Sequence, residues 1–405
     1  MKRSKTLIAI LLLALTGNAC TGATTRKDKI DVIRSEKLDL DPMLIHPDGK
    51  GDRETIDVGA LFDRGFKFFS ERRFEEAIKD YKAIIGNFPD SRFYQPALYN
   101  AGLAYERLQR FKDAASAYEK IIALGKKSKD TNDAYFRLAT VLEELESWNR
   151  IQAVMTEVLL SEGLSNFDRV EAYVRRSEAM LQVASYREAA DGFRNVFTIN
   201  QKADLEHRLN PKSHLIVRAY FGLGRSLHAQ VSDIKLVLPP EKMGSDLKRK
   251  GMLFSGAQVN YIRALSAHHP TWSVAAGYMI GRLYEDFYTD ILGAEIPDDL
   301  SEEQLTLYFE ELRKQIRPLM ERAVQVYEKN ISLSERIGQK EKNKWVRETN
   351  ENLGRLRSYL DDSETRARAT RFVKAGKDLK TLWDPIPVAQ DAIAKAISGS
   401  PKKAN

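Results

Sequence analysis

The side chains in this 405-residue chain that could do chemistry are few and scattered. Cys20 is its only cysteine, so no internal disulfide and no paired-thiol chemistry can form. His268 and His269 stand side by side and could supply half of a metal site. No matching ligand cluster accompanies them, however, and Pro270 marks a helix boundary, so they read as a solvated helix terminus. Asp48-Gly-Lys-Gly-Asp52 begins like a calcium loop, but an EF-hand needs Gly at its sixth position and Glu at its twelfth. Counted from Asp48, those positions hold Arg53 and Gly59. The acidic run Asp298 to Glu303 suits the positive end of a helix, with Ser301 or Asp299 as its cap. There is no phosphate-cradling glycine loop, no HExxH and no Gly-x-Ser-x-Gly. These residue patterns imply neither catalysis, nor a metal, nor a cofactor.

Cys20 acquires a meaning from what precedes it. Lys2, Arg3 and Lys5 form a basic start, Leu7 to Leu15 is an unbroken apolar run, and Thr16-Gly-Asn-Ala19 leads into the cysteine. That order makes a secretory signal peptide over residues 1–19. Its nine apolar residues give about 13 Å of helix, against the roughly 20 residues a bilayer core requires. The stretch resembles a bacterial lipoprotein signal, in which the cysteine becomes the first mature residue and is acylated, although Gly17 stands where that family usually has Leu. The resemblance implies a membrane anchor at Cys20, acyl chains adding about 0.8 kcal/mol per buried CH₂. Thr21, where a retention signal would place Asp, leans toward the outer membrane.

The formal charge is +7, and removing residues 1–19 takes away Lys2, Arg3 and Lys5 to leave +4. A small, dispersed excess is not a nucleic-acid footprint. Residues 20–57 are polar without sustained period and read as the lipidated N-terminus and a flexible tether. Residues 361–405 turn basic (RARATRFVKAGKDLK, then Trp383-Asp-Pro-Ile-Pro387) and read as a flexible tail.

Between these ends the chain repeats itself. Residues 61–89 and 98–126 are one unit at a spacing of 37. Each has a small residue (Gly65, Gly102), an aromatic three later (Phe68, Tyr105), an alanine twelve after the small one (Ala77, Ala114) and a second aromatic four beyond that (Tyr81, Tyr118). This is the tetratricopeptide (TPR) signature. Weaker copies follow around Ala139, Ser177, Gly224 and Gly281, the small residues being spaced 37, 37, 38, 47 and 57 apart. The spacing predicts an all-α solenoid of stacked antiparallel helix pairs, regular over 58–200 and elaborated over 201–360. Two insertions, 231–251 and 286–304, interrupt its last repeats, and a helix from Trp345 to Leu360 caps it.

The C-terminal half carries Leu236-Val-Leu-Pro-Pro240, Trp272 to Gly281, Ile296 to Leu300, Leu319 to Tyr327 and Asn343-Lys-Trp-Val346. This arrangement resembles the TPR lipoproteins of the adventurous gliding-motility machinery of myxobacteria and their relatives. The N-terminal repeats resemble equally the shorter TPR lipoproteins of outer-membrane barrel assembly. Both resemblances imply a protein-binding scaffold in a bacterial envelope, lipid-anchored and facing the periplasm; the second implies an assembly chaperone or a pilot for barrel or secretin subunits.

In TPR proteins the concave groove is lined by set positions of each first helix. Carried over by register, the fifth positions are Phe62, Tyr99, Phe136, Val174, Phe221 and Tyr278, five of the six aromatic and none in the repeat signature, so that they form a ladder of rings. Phe66, Arg107, Arg225 and Arg282 stand beside it. Such a ladder suits an extended peptide or helix with apolar anchors. The same rings could instead pack helix on helix along the inner wall.

Overall fold

The computed structural model describes residues 43–47, 53–125, 129–297, 300–339 and 343–360. The signal peptide, Cys20, the Asp48–Asp52 segment and the tail from 361 lie outside the described residues. The chain divides into two compact units, one up to Leu103 and one from Ala104 onward.

The first unit opens with a departure from the expected tether. β1 (Met43–Pro47) and β2 (Arg53–Asp57) pair antiparallel, with Met43 opposite Asp57 and Pro47 opposite Arg53. β2 runs straight into α1 (Val58–Ser70), whose first turn is capped by Asp57 accepting from the Gly59 amide at 2.8 Å. α2 (Phe74–Asn87) packs back on α1, and α3 (Tyr94–Arg107) follows. The small-residue rule holds here as steric fact: a Cβ added at Gly65 would lie 2.9 Å from the ring of buried Tyr81. Phe62 is wedged between Tyr81 and Phe93, ring centres 5.9 and 5.1 Å away.

The second unit continues through α4 (Phe111–Ala123), α5 (Lys129–Glu144), α6 (Trp148–Leu159), α7 (Asn166–Gln182) and α8 (Tyr186–Lys202). It ends with α9 (His214–Asp233), α10 (Pro240–Ser266), α11 (Pro270–Leu292), α12 (Glu302–Arg336) and α13 (Lys344–Leu360). Neighbours in sequence pack as hairpins, and α7, α9, α11 and α13 also touch in turn, so alternate helices form a continuous wall. That is the contact pattern of a TPR solenoid. One apolar core runs from Val170 to Leu356, with α8 packed on α9 across residue 200.

The turns inside the first four repeats are nearly identical. Arg72, Gln109, Glu146 and Ala184 all take left-handed φ, between 51° and 62°. In each, the next amide reaches back to a carbonyl five residues earlier: Arg73 to Phe68, Arg110 to Tyr105, Ser147 to Leu142, Ser185 to Met180, at 2.8–2.9 Å. This is a Schellman closure made without glycine. In the first two turns the arginine also lies over the ring that supplies the carbonyl, at 4.3 and 4.7 Å.

The insertions are largely lengthened helices. Most of 231–251 is the end of α9 and the first half of the 27-residue α10, opened by Pro240. Of 286–304, the first part extends α11 to Leu292, and α12 starts on a capping box between Ser301 and Gln304. The two connectors hold each other: Glu295 donates its amide to the Leu236 carbonyl at 2.9 Å, and its carboxylate accepts from the Leu238 amide at 2.7 Å. Beneath them, fully buried Lys250 donates to Asp290 at 2.6 Å and to the Val231 carbonyl. Because the extra turns are added to both arms, the core pairing survives. Gly224 faces the Tyr261 ring, where a Cβ would meet it at 2.6 Å, and Gly281 faces the Tyr327 ring more closely still.

Candidate peptide-docking face

The structure sorts the ladder into two kinds of ring. Phe62, Tyr99, Phe136 and Phe221 are buried, none more than 4% exposed, and Val174 is wholly buried. A ring without free surface cannot anchor a partner, so these positions are the wall of the solenoid. The reason is geometric. From α7 onward each first helix touches the first helix of the next repeat, α7 on α9, α9 on α11 and α11 on α13, while Phe62 is covered by Tyr81 and Phe93. Phe66, Arg225, Tyr278 and Arg282 keep part of their surface, and Arg107 is exposed.

Acids on the same first helices are engaged in ion pairs. Arg137 on α5 meets Glu106 at 3.6 Å, Arg175 on α7 meets Glu143 at 2.9 Å, and Arg218 on α9 meets Glu178 on α7. Arg355 on α13 meets Glu285 on α11 at 3.0 Å. Each arginine ties one first helix to the one before it. Arg175 is itself buried and also holds Glu171 at 2.9 Å. Between α9 and α11 the tie is reversed, with His228 Nε2 and Asp286 Oδ2 3.0 Å apart.

Four of the predicted residues converge in the second unit. Phe221 forms the floor of an aromatic cluster with Trp272 at 5.1 Å and Trp345 at 6.3 Å, and Tyr278 lies 5.4 Å from Trp345. Trp272, Tyr278 and Trp345 are half-buried. One helical turn beyond Phe221 stands Arg225, with no carboxylate partner among the described residues; one turn beyond Tyr278 stands Arg282. Arg282 is occupied, bonding Glu285 at 3.1 Å and Asp286 at 2.8 Å. Trp272 and Trp345 had been visible in sequence, but outside the assumed groove register; only the approach of α13 to α9 and α11 brings them together.

Electrostatics freeze the base of this cluster. Glu285 has no exposed surface; burial pushes its carboxyl up, while Arg282, the 2.7 Å hydrogen bond from Tyr327 and Arg355 draw it back. Burial would raise Asp286 too, but the His228 bond and charge, with Arg282, hold it below the ordinary carboxylate value. Burial pushes the Tyr278 phenol up to about 12, with Glu348 adding to the rise and Arg282 opposing it. At the edge, His214 Nδ1 accepts from Trp272 Nε1 at 3.3 Å, and its ring lies 5.5 Å from that of His269. Burial, then the nearby charge of Arg218, lowers His214 to about 4, and burial lowers His269 as well. The bond from Trp272 places the proton of neutral His214 on Nε2. Among the described residues no group of three or more His, Cys, Asp or Glu is placed to hold a metal ion. Nor is any described helix long and apolar enough to cross a membrane.

Residues 96–124 match the family model of the tetratricopeptide repeat. That stretch is a tetratricopeptide repeat. No curated protein is significantly similar to it in sequence. Among solved structures, it is similar to the C-terminal part of a TPR repeat-containing protein from Cytophaga hutchinsonii, at 13% identity and a TM-score of 0.43, covering 82% of this chain and 98% of that one. A tetratricopeptide repeat protein from Parabacteroides merdae is 14% identical, with a TM-score of 0.37 over 72% and 98% of the two chains. YrrB, described as a TPR protein with an unusual peptide-binding site, is 17% identical, with a TM-score of 0.35 over 52% and 91%.

Proposed function

We propose that this protein is a scaffold or adaptor that captures protein segments on the aromatic cluster of its C-terminal repeats and performs no catalysis. One observation carries the reading: Trp272, Tyr278 and Trp345 are only half-buried, and Arg225 has no carboxylate partner among the described residues, whereas the other ladder rings that could be anchors are sealed into the wall. Partly exposed aromatics on a rigid base make effective anchors, truncation of one costing about 2 kcal/mol or more. With the lipoprotein-like N-terminus, the scaffold sits on the bacterial envelope, anchored through Cys20 to the outer membrane and facing the periplasm. Its resemblance to gliding-motility lipoproteins makes a motility machine the first candidate; escort of barrel or secretin subunits is the second.

Two measurements test this. Trp272→Ala with Tyr278→Ala should weaken partner capture from solubilised envelope by more than a hundredfold, at about 1.4 kcal/mol per tenfold, while circular dichroism still shows a folded solenoid. Undiminished capture by the folded double variant would place docking elsewhere. The identity of the captured proteins separates the envelope roles, motor components favouring one and barrel subunits the other. For the anchor, Cys20→Ala should leave the membrane fraction; retention there after a high-salt wash would defeat it.

A further inference from the structure

The aromatic cluster matches the chemistry of a segment this chain itself carries. Trp383-Asp-Pro-Ile-Pro387 places one indole and two prolines around one carboxylate. Proline-bearing segments in extended form settle on aromatic-lined grooves, rising about 3.1 Å per residue. Trp272, Tyr278 and Trp345 offer the rings, and Arg225, whose charge acts on the phenol of Tyr261, offers a cation without a carboxylate partner among the described residues. Its neighbours Arg282 and Arg355 are both committed to buried Glu285. Arg225, without a carboxylate partner among the described residues, stands a single helical turn from the ring at the cluster's floor.

Reach agrees with chemistry. Described structure ends at Leu360, the last residue of α13, and Trp345 lies one residue inside the helix at its other end. Between those two residues α13 rises about 22 Å. Leu360 and Trp383 are 23 residues apart, and a coil of that length has a root-mean-square span of roughly 25 Å. A tether whose natural span equals the gap it must bridge gives the highest effective concentration, in the millimolar range for short links.

We infer that Trp383-Asp-Pro-Ile-Pro387 folds back along α13 and occupies the aromatic cluster in cis, with Asp384 paired to Arg225, so that partners must displace it. This rests on the docking reading above and adds an intramolecular competitor to it.

The test uses the full chain and a fluorescein-labelled synthetic peptide, Lys380 to Gln390, followed by anisotropy. The variant W383A with P385A, whose own segment is disabled, should bind the peptide with a micromolar Kd. The parent should bind it roughly a hundredfold more weakly, because a tethered competitor near 1 mM outcompetes a free one. Adding R225E to the disabled variant should weaken peptide binding at least tenfold. Equal affinity for parent and variant overturns the inference, as does no binding to either. If the parent's masking grows with protein concentration and sedimentation shows a dimer, the segment acts in trans and the cis assignment falls. If the peptide fails while the Trp272 and Tyr278 substitutions still abolish envelope-partner capture, the docking face stands and only its intramolecular occupant is lost.

Discussion

Arg355 reaches from the capping helix α13 to Glu285 on α11, where its guanidinium lies 3.0 Å from a carboxylate with no exposed surface. Tyr327 closes the other oxygen of that carboxylate at 2.7 Å, and Arg282 meets it at 3.1 Å. A buried charge satisfied from three helices binds α11, α12 and α13 into one block. It also fixes the helix that carries Tyr278 and the helix that carries Trp345, so the proposed docking face depends on it.

Removing the acid should therefore cost more than removing either base. Glu285→Ala leaves two arginines without their common partner, and breaking a buried pair costs about 3–5 kcal/mol. Arg355→Ala, at a site 30% exposed, should cost clearly less. Urea unfolding of both variants checks the order; hydrogen exchange should show α13 losing protection first, since solenoid repeats lean only on their neighbours.

Close approach at Gly281 offers a second test. Gly281→Leu must displace the buried ring of Tyr327, and overpacking of this kind costs about 1–3 kcal/mol or more. Gly354 on α13 has nothing within 4 Å of an added Cβ, so Gly354→Ala should instead stabilise by about 0.5–1 kcal/mol. Thermal melts that move in the same direction for both would contradict the assigned packing.

The turn residues carry a recoverable strain. Ala184 sits at φ 60° without a side chain able to hydrogen-bond its own backbone. Relieving the left-handed penalty, about 1–2 kcal/mol per residue, Ala184→Gly should raise stability by several tenths to about 1 kcal/mol once the extra chain entropy of glycine is deducted. Ala184→Val should lower it. Guanidinium titration of the pair against the parent decides the sign.

Acid should loosen the edge of the docking face. His214 is held neutral, its value lowered to about 4 by burial and by Arg218, against about 6.5 in an unfolded chain. Above pH 6.5 both states carry the same charge. As the pH falls from 6.5 toward 4 the unfolded state takes up the proton first, so stability is lost across that window. His214→Gln, whose amide oxygen can accept from Trp272, should flatten this part of the curve. Melting temperatures at pH 7, 6 and 5 for parent and variant measure it; an unchanged slope would mean that other groups set the acid limb.

The repeats were legible in the sequence because each is local. A small residue, a ring sixteen positions on and a return after 37 residues state which helix pairs with which, and Gly65 with Tyr81 shows the contact. Even the insertions keep that logic, since Gly224 still meets Tyr261 and Gly281 still meets Tyr327. What the sequence could not state was which rings remain exposed. Phe62 and Tyr278 hold the same register position, yet one is sealed in and the other half-exposed. The difference comes from what the following helices bring against each ring. Likewise the left-handed turns at Arg72 and Ala184 lack the glycine that would have announced them, and the lengthened α10 and α12 look like interruptions until their two arms are seen to extend together. Periodicity records the helix pairing, because that pairing repeats within a few dozen residues. Exposure is set by helices far apart in sequence, such as α9 and α13 meeting over Phe221 and Trp345, and only the tertiary structure decides it.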